Sequence, residues 1–176
     1  MLQSVVPLIA LAAGLSAPAL AGRAGPPVHL VGDDVVKARL VLDSATVSAG
    51  SATQASLELT PAAGWHLYGP EHGDAGVPPD VTWTLPSSLL AGSIQFPRST
   101  RVVTHGLTTF EYHGPVVLRV RLVSSPSAKP QRDLPIRADV TWVACSHVCA
   151  PGHTTLTATI DIVASRTPVS ASVAPS

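Results

Sequence analysis

The chain has 176 residues, of which 45% are hydrophobic and 12% charged, about half the charged fraction usual in a soluble domain. That length supports one hydrophobic core. Eleven basic residues balance eleven acidic ones, and no basic run is present to hold phosphates or anionic lipid, which argues against nucleic acid and membrane surfaces as partners. The 17 Pro and 13 Gly are spread through the body of the chain, where they would interrupt helices but fit turns between short strands. The expected fold class is all-β.

Met1 to Ala21 reads as a cleaved signal peptide. It carries no charged side chain, has an apolar run from Val5 to Leu15 and finishes in the small-x-small pattern Ala19-Leu20-Ala21. The run is shorter than the roughly 20 residues that span a bilayer, so cleavage is expected over anchoring and the mature chain is expected to have no membrane insertion. Export would place the protein in a periplasm or at the cell exterior, where disulfides persist, and the periplasm is the expected location. Residues 22–34 read as a flexible lead-in and 164–176 as a disordered tail. The domain is expected over 35–163.

Within it, Val35 to Leu42 and Thr53 to Thr60 are β-compatible runs separated by the turn-forming Ser48-Ala49-Gly50-Ser51, and they are expected to form a first antiparallel pair. Further strands are expected at Asp80 to Leu85, Ser93 to Phe96, Arg101 to His105, Pro115 to Val123, Leu134 to Val143 and Thr154 to Val163. Pro86 to Leu90 is the one stretch read as able to hold a helical turn. In the Pro115 to Val123 run, Val116, Leu118, Val120 and Leu122 share one face, and Val117, Arg119 and Arg121 the other. Short strands of this kind predict a two-sheet antiparallel sandwich. Ser124 to Pro130 reads as an exposed connection inside the domain.

Both cysteines fall in Cys145-Ser146-His147-Val148-Cys149. Two cysteines in an exported chain ordinarily make a structural bridge. A five-residue loop gives such a bridge only about 2 kcal/mol in the chain-entropy model, against about 4.7 for a hundred residues. If the flanking runs are successive antiparallel strands, both thiols sit at the hairpin joining them, within reach of another thiol. His147 between them is a candidate for tuning the thiols, since an imidazolium favours thiolate; the alternative is an ordinary turn histidine. Pro151-Gly152 is read as re-aiming the chain just afterwards. Cys145, His147, Cys149 and His153 also spell C-x-H-x-C-x3-H, a donor set for copper(I) or zinc if the thiols stay reduced, although the spacing matches no common zinc module. A third reading is a non-enzymatic interaction module with a structural disulfide.

The segment Trp142-Val143-Ala144-Cys145-Ser146-His147-Val148-Cys149-Ala150-Pro151-Gly152 resembles the aromatic-x-x-Cys-x(n)-Cys-x-Pro segment of the amino-terminal periplasmic domain of the thiol-disulfide interchange protein DsbD. Gly64-Trp65-His66-Leu67-Tyr68, Gly73-Asp74-Ala75-Gly76-Val77-Pro78-Pro79 and Val81-Thr82-Trp83 are similar to the pattern of the related ScsB-type proteins. The resemblance runs from about Val35 to Val163. It implies an immunoglobulin-like sandwich with Cys145 and Cys149 as the redox couple, no cofactor, and periplasmic thiol or disulfide proteins as partners. Family precedent for the later cysteine nominates Cys149 as the attacking thiol. The resemblance also implies a membrane-linked, thioredoxin-like electron donor, expected on another chain because these residues contain neither a transmembrane conduit nor a Cys-x-x-Cys. DsbD-type members shield the cysteines with an aromatic cap loop. The stretch Thr104-His105-Gly106-Leu107 has no aromatic residue, which leaves Phe110 or Tyr112 as substitutes.

Other features read as structural. His66, His72, His105 and His113 are expected as scattered loop histidines, and Trp65, Tyr68, Trp83, Phe96 and Trp142 as core fillers. Glu71, Asp74 and Asp80 are expected in a solvated loop. No nucleophile elbow or phosphate-binding loop is present, which leaves a hydrolase or kinase without a basis.

Overall fold

The computed structural model describes residues 31–71 and 73–165. The expected signal peptide, residues 22–30 of the lead-in, His72 and the tail beyond residue 165 lie outside the described residues. A 3-10 turn, Val31–Asp33, precedes eleven strands: β1 (Val36–Leu42), β2 (Thr46–Ser48), β3 (Ala52–Pro61), β4 (Leu67–Tyr68), β5 (Asp80–Thr84), β6 (Leu89–Gln95), β7 (Thr100–Thr104), β8 (Leu107–Tyr112), β9 (Val116–Ser124), β10 (Gln131–Cys145) and β11 (Cys149–Val163). Among the described residues no helix is long and apolar enough to cross a membrane.

The strands form two four-stranded sheets, ordered β1-β3-β9-β6 and β2-β11-β10-β5, and a small third sheet, β4-β8-β7. The fold is an antiparallel, immunoglobulin-like β-sandwich, with β2 running parallel to the end of β11 as the exception. The expected first pair is present, with β1 and β3 in register from Val36↔Pro61 to Leu42↔Ala55. Alternation along β9 is as expected: Val116, Leu118, Val120 and Leu122 are buried, while Arg119 and Arg121 are exposed. The two inner faces meet in one core group with Leu57, Leu59, Leu118, Val140 and Trp142 and a second with Ala55, Val120, Leu122, Ile136, Ile160 and Ile162. Trp142 is buried in this core, and Trp65, Trp83 and Phe96 pack against its edge, whereas Tyr68, expected as a core filler, is buried outside both groups.

Three strands were not anticipated. β2 and β4 are too short for alternation to register. β8 follows β7 through His105 (φ 52°) and Gly106 (φ 82°), a two-residue connection whose paired positive φ values match the twist of a hairpin. The helical turn considered for Pro86 to Leu90 is instead a single tight turn, with the Leu89 amide donating to the Pro86 carbonyl at 2.9 Å, and β6 starts at Leu89. Its register shifts between Ala91 and Ile94, around Gly92, where a bulge is tolerated.

Pro151-Gly152 does not redirect the chain. Both continue β11, opposite Val143 and Trp142. Pro lacks an amide hydrogen, so it suits a strand edge that makes no ladder bond; the Val31–Asp33 turn lies against that edge. Gly152 is required by this close approach: a Cβ there would stand 2.6 Å from the Gly32 backbone and 2.7 Å from the Trp142 ring. The Trp142 indole Nε1 donates to the Gly32 carbonyl at 3.2 Å, and Asp33 accepts from the His153 amide at 2.5 Å.

Candidate functional site

β10 and β11 are each fifteen residues long and pair down to their last residues, so the hairpin places Cys145 directly opposite Cys149. Directly opposite residues on an antiparallel ladder point to the same face. With Cα atoms 4.1 Å apart, the two are joined by a disulfide. Ser146, His147 and Val148 form the loop, closed by the Ser146 amide donating to the Val148 carbonyl at 2.9 Å. The two cysteines are unequal in access: Cys145 is 2% exposed, whereas Cys149 opens to solvent. His147 is exposed beside them, and Val148 is 66% exposed. His153 lies on the outer face of β11, opposite exposed Thr141, with Nδ1 3.4 Å from Asp33 Oδ1. While the bridge is closed, neither sulfur of the Cys145, His147, Cys149 and His153 set offers a thiolate to a metal.

On its other side, Cys145 exchanges two backbone hydrogen bonds with His66. The His66 amide donates to the Cys145 carbonyl at 2.9 Å, and the Cys145 amide donates to the His66 carbonyl at 3.0 Å. This bridge stitches the small sheet to the end of β10 and places His66 beside Cys145. β4 and β8 pair as Leu67↔Tyr112 and Tyr68↔Glu111, and the same register sets His66 against His113. Period-two alternation then puts His66, Tyr68, Glu111 and His113 on one face. His66 Nε2 lies 3.3 Å from the Tyr68 hydroxyl and 3.7 Å from Glu111 Oε1, and His113 Nε2 lies 2.7 Å from Glu111 Oε2. The Thr109 hydroxyl donates to Glu111 Oε1 at 2.5 Å.

Burial pushes the His66 pKa down; the Glu111 carboxylate opposes this, and His113 adds to it. Two of the histidines expected as scattered, His66 and His113, are therefore brought together around a buried glutamate. The signal was present in the two i, i+2 pairs His66/Tyr68 and Glu111/His113, but it has meaning only once both segments are known to be strands.

The loop between β4 and β5 holds this face in place. The Asp74 carboxylate accepts from the Thr108 amide at 2.7 Å, Gly76 takes φ 110° against the Tyr68 ring, and Pro79 is fully buried. The Gly-Asp-x-Gly-x-Pro-Pro pattern is thus a clamp on Tyr68 and β8. Glu71 and Asp74 are exposed in this loop, as expected, and Asp80 is exposed as the first residue of β5. Tyr112 faces the core and donates to the Pro97 carbonyl at 2.6 Å, and Phe110 lines a hollow with Glu71, Arg98 and Ser99.

Both tyrosines of the chain have raised pKa values. Burial pushes Tyr112 up to about 12, aided by Glu71, and burial followed by the charge of Glu111 raises Tyr68. A tyrosine whose folded pKa exceeds its unfolded value near 10 contributes stability that is complete below pH 10 and is lost as pH rises through the folded value. For Tyr112 the full difference corresponds to about 3 kcal/mol. Absorbance at 295 nm should therefore show half of the tyrosinate signal, that of Tyr112, only near pH 12 together with loss of tertiary signal, with the Tyr68 half also displaced upward from an ordinary tyrosine. A step near pH 10 carrying the full amplitude of both rings would show that Tyr112 is solvated.

The fold is similar to the crystal structure of the N-terminal periplasmic domain of ScsB from Proteus mirabilis, with 21% identity and a TM-score of 0.56, covering 76% of this chain and 51% of that one. This chain thus spans about half the length of the ScsB chain. The reduced N-terminal domain of Neisseria meningitidis DsbD is matched at 14% identity and a TM-score of 0.44, covering 73% of this chain and 87% of that one. A search of curated proteins finds no match. Residues 36–161, which include the paired cysteines, match the family described as thiol:disulfide interchange protein DsbD, N-terminal, and the chain belongs to that family.

Proposed function

We propose that the domain is a periplasmic thiol-disulfide carrier whose working couple is Cys145 and Cys149. In the reduced state a thiolate attacks a disulfide of a partner protein, forming a mixed disulfide and releasing one partner thiolate. The second cysteine of the pair then attacks the mixed bond, closes the Cys145–Cys149 bridge and frees the partner as a dithiol. Two electrons pass to the partner. A thioredoxin-like, membrane-linked dithiol on another chain returns the pair to the reduced state and is itself oxidised. His147, exposed beside both sulfurs, is the side chain proposed to tune them.

The observation that carries this reading is the unequal exposure of a disulfide closed across the last rung of a hairpin, with Cys149 open to solvent and Cys145 buried. An exposed sulfur is open to attack by an external thiolate, and the buried one is held for the intramolecular step.

Equilibration of the folded protein with glutathione or thioredoxin buffers tests the proposal. The bridge should titrate reversibly at a potential between about −270 and −120 mV, the span of soluble exchange proteins. A bridge that stays oxidised until the domain unfolds would be structural and would sink the carrier reading.

A further inference from the structure

The geometry points to a divalent metal site formed by His66, Glu111 and His113, distinct from the cysteines and suited to zinc(II) or copper(II). Among the described residues, these three bring one ligand atom each to within 4.8 Å of one another. Two imidazole nitrogens and a carboxylate oxygen are borderline-to-hard donors. They suit zinc and copper(II) better than magnesium or calcium, which favour all-oxygen sites, and better than copper(I), which favours sulfur.

The spacing is close to what a bound ion needs. Ligand atoms about 2.0–2.1 Å from a tetrahedral zinc stand about 3.3 Å from one another. Here Glu111 Oε1 is 3.7 Å from His66 Nε2, and Glu111 Oε2 is 2.7 Å from His113 Nε2. Side-chain adjustments of about 1.5 Å or less in these separations would bring all three onto one ion.

The surroundings are those of a supported site with an entrance. The side chains of Glu111 and His66 are 8% and 14% exposed, while that of His113 is 57% exposed and forms the open side. The Thr109 hydroxyl holds the Glu111 carboxylate from behind, as an outer-shell partner orients a metal-binding carboxylate. The Tyr68 hydroxyl, 3.3 Å from His66 Nε2, is near enough to bond a water completing the coordination. Glu111 lies on the ladder formed by β4 and β8, His66 and His113 flank the end of that ladder, and His66 is locked to β10 through its backbone bonds to Cys145.

The site does not depend on free thiols, so it is tested on the protein with its 145–149 bridge intact. Titration calorimetry with zinc(II) and copper(II) salts should show one ion bound per chain, and the copper(II) form should give an electron paramagnetic resonance spectrum with coupling to two nitrogens. His113→Ala, at an exposed position that leaves the fold undisturbed, should weaken binding about tenfold or more, and Glu111→Gln should do the same. The Cys145→Ser/Cys149→Ser pair and His147→Ala should bind as the parent does. Failure of both metals to bind stoichiometrically, binding unchanged in His113→Ala, or binding abolished by the cysteine or His147 substitutions would each overturn the assignment.

Discussion

Cys145→Ser should accumulate a stable mixed disulfide through Cys149, and Cys149→Ser should accumulate little. The asymmetry follows from access. Cys149 opens to solvent at the start of β11, whereas Cys145 is buried at the end of β10 and bonded through its backbone to His66. In the parent protein the resolving thiol faces the mixed disulfide from the opposite residue of the same ladder, with Cα atoms 4.1 Å apart in the closed form. Effective molarities for well-oriented intramolecular reactions reach on the order of 10⁵ M or more, so the parent adduct should be too short-lived to isolate. Removing Cys145 removes that step and leaves the adduct stranded, while turnover should fall to background with either substitution. Non-reducing electrophoresis and mass spectrometry of periplasmic extracts read the result directly. Trapping through Cys145 and not Cys149 would reverse the assignment of roles, and no adduct from either variant would argue against exchange altogether.

Trp142→Ala should cost about 3–5 kcal/mol, the range for truncating a large buried aromatic side chain. The indole is 3% exposed, packs with Leu57, Leu59, Leu118 and Val140, donates to the Gly32 carbonyl and fills the space over Gly152. A whole domain is stable by only about 5–15 kcal/mol, so the melting temperature should fall by on the order of 10 °C or more. Trp142 stands three residues before Cys145, on the strand that presents the disulfide, and the Val31–Asp33 turn leans on it. Hydrogen exchange at the amides of Ala144 and Ala150, which face each other across the hairpin, should therefore rise along with the loss of global stability. A change in unfolding free energy below about 1 kcal/mol would mean that the ring lies outside the core.

The sandwich was legible where alternation was long. β9 alternates over nine residues, and the hydrophobic effect allows that pattern only one orientation in a sheet covered on one side. The hairpin at the cysteines was legible because two extended runs flank a short segment, which leaves the chain little choice but to turn back. β4 and β8 were not legible. A two-residue strand has no period, and β8 carries Thr, Phe, Glu and Tyr in an order that gives no clear polar face. Its Glu111 is buried, against what a carboxylate signals in a sequence, because Thr109, His66 and His113 surround it. Pro151-Gly152 misled for a related reason. Both residue types mark turns on average, but here the proline occupies a strand edge and the glycine admits a neighbouring backbone.

By itself the sequence determined the all-β class, most of the long strands, the position of the cysteines in a hairpin and the family resemblance. These features are carried by residues close together along the chain, where period, turn chemistry and spacing act directly. Only the tertiary structure decided that Cys145 is buried and Cys149 open, that His66 is bonded to Cys145, and that His66, Glu111 and His113 share one face. Each of these depends on strands far apart in sequence coming into register, and the free energy that sets the register is spread over the whole core. Residues 66 and 111 have no relation that local pattern can express until β4 and β8 are paired.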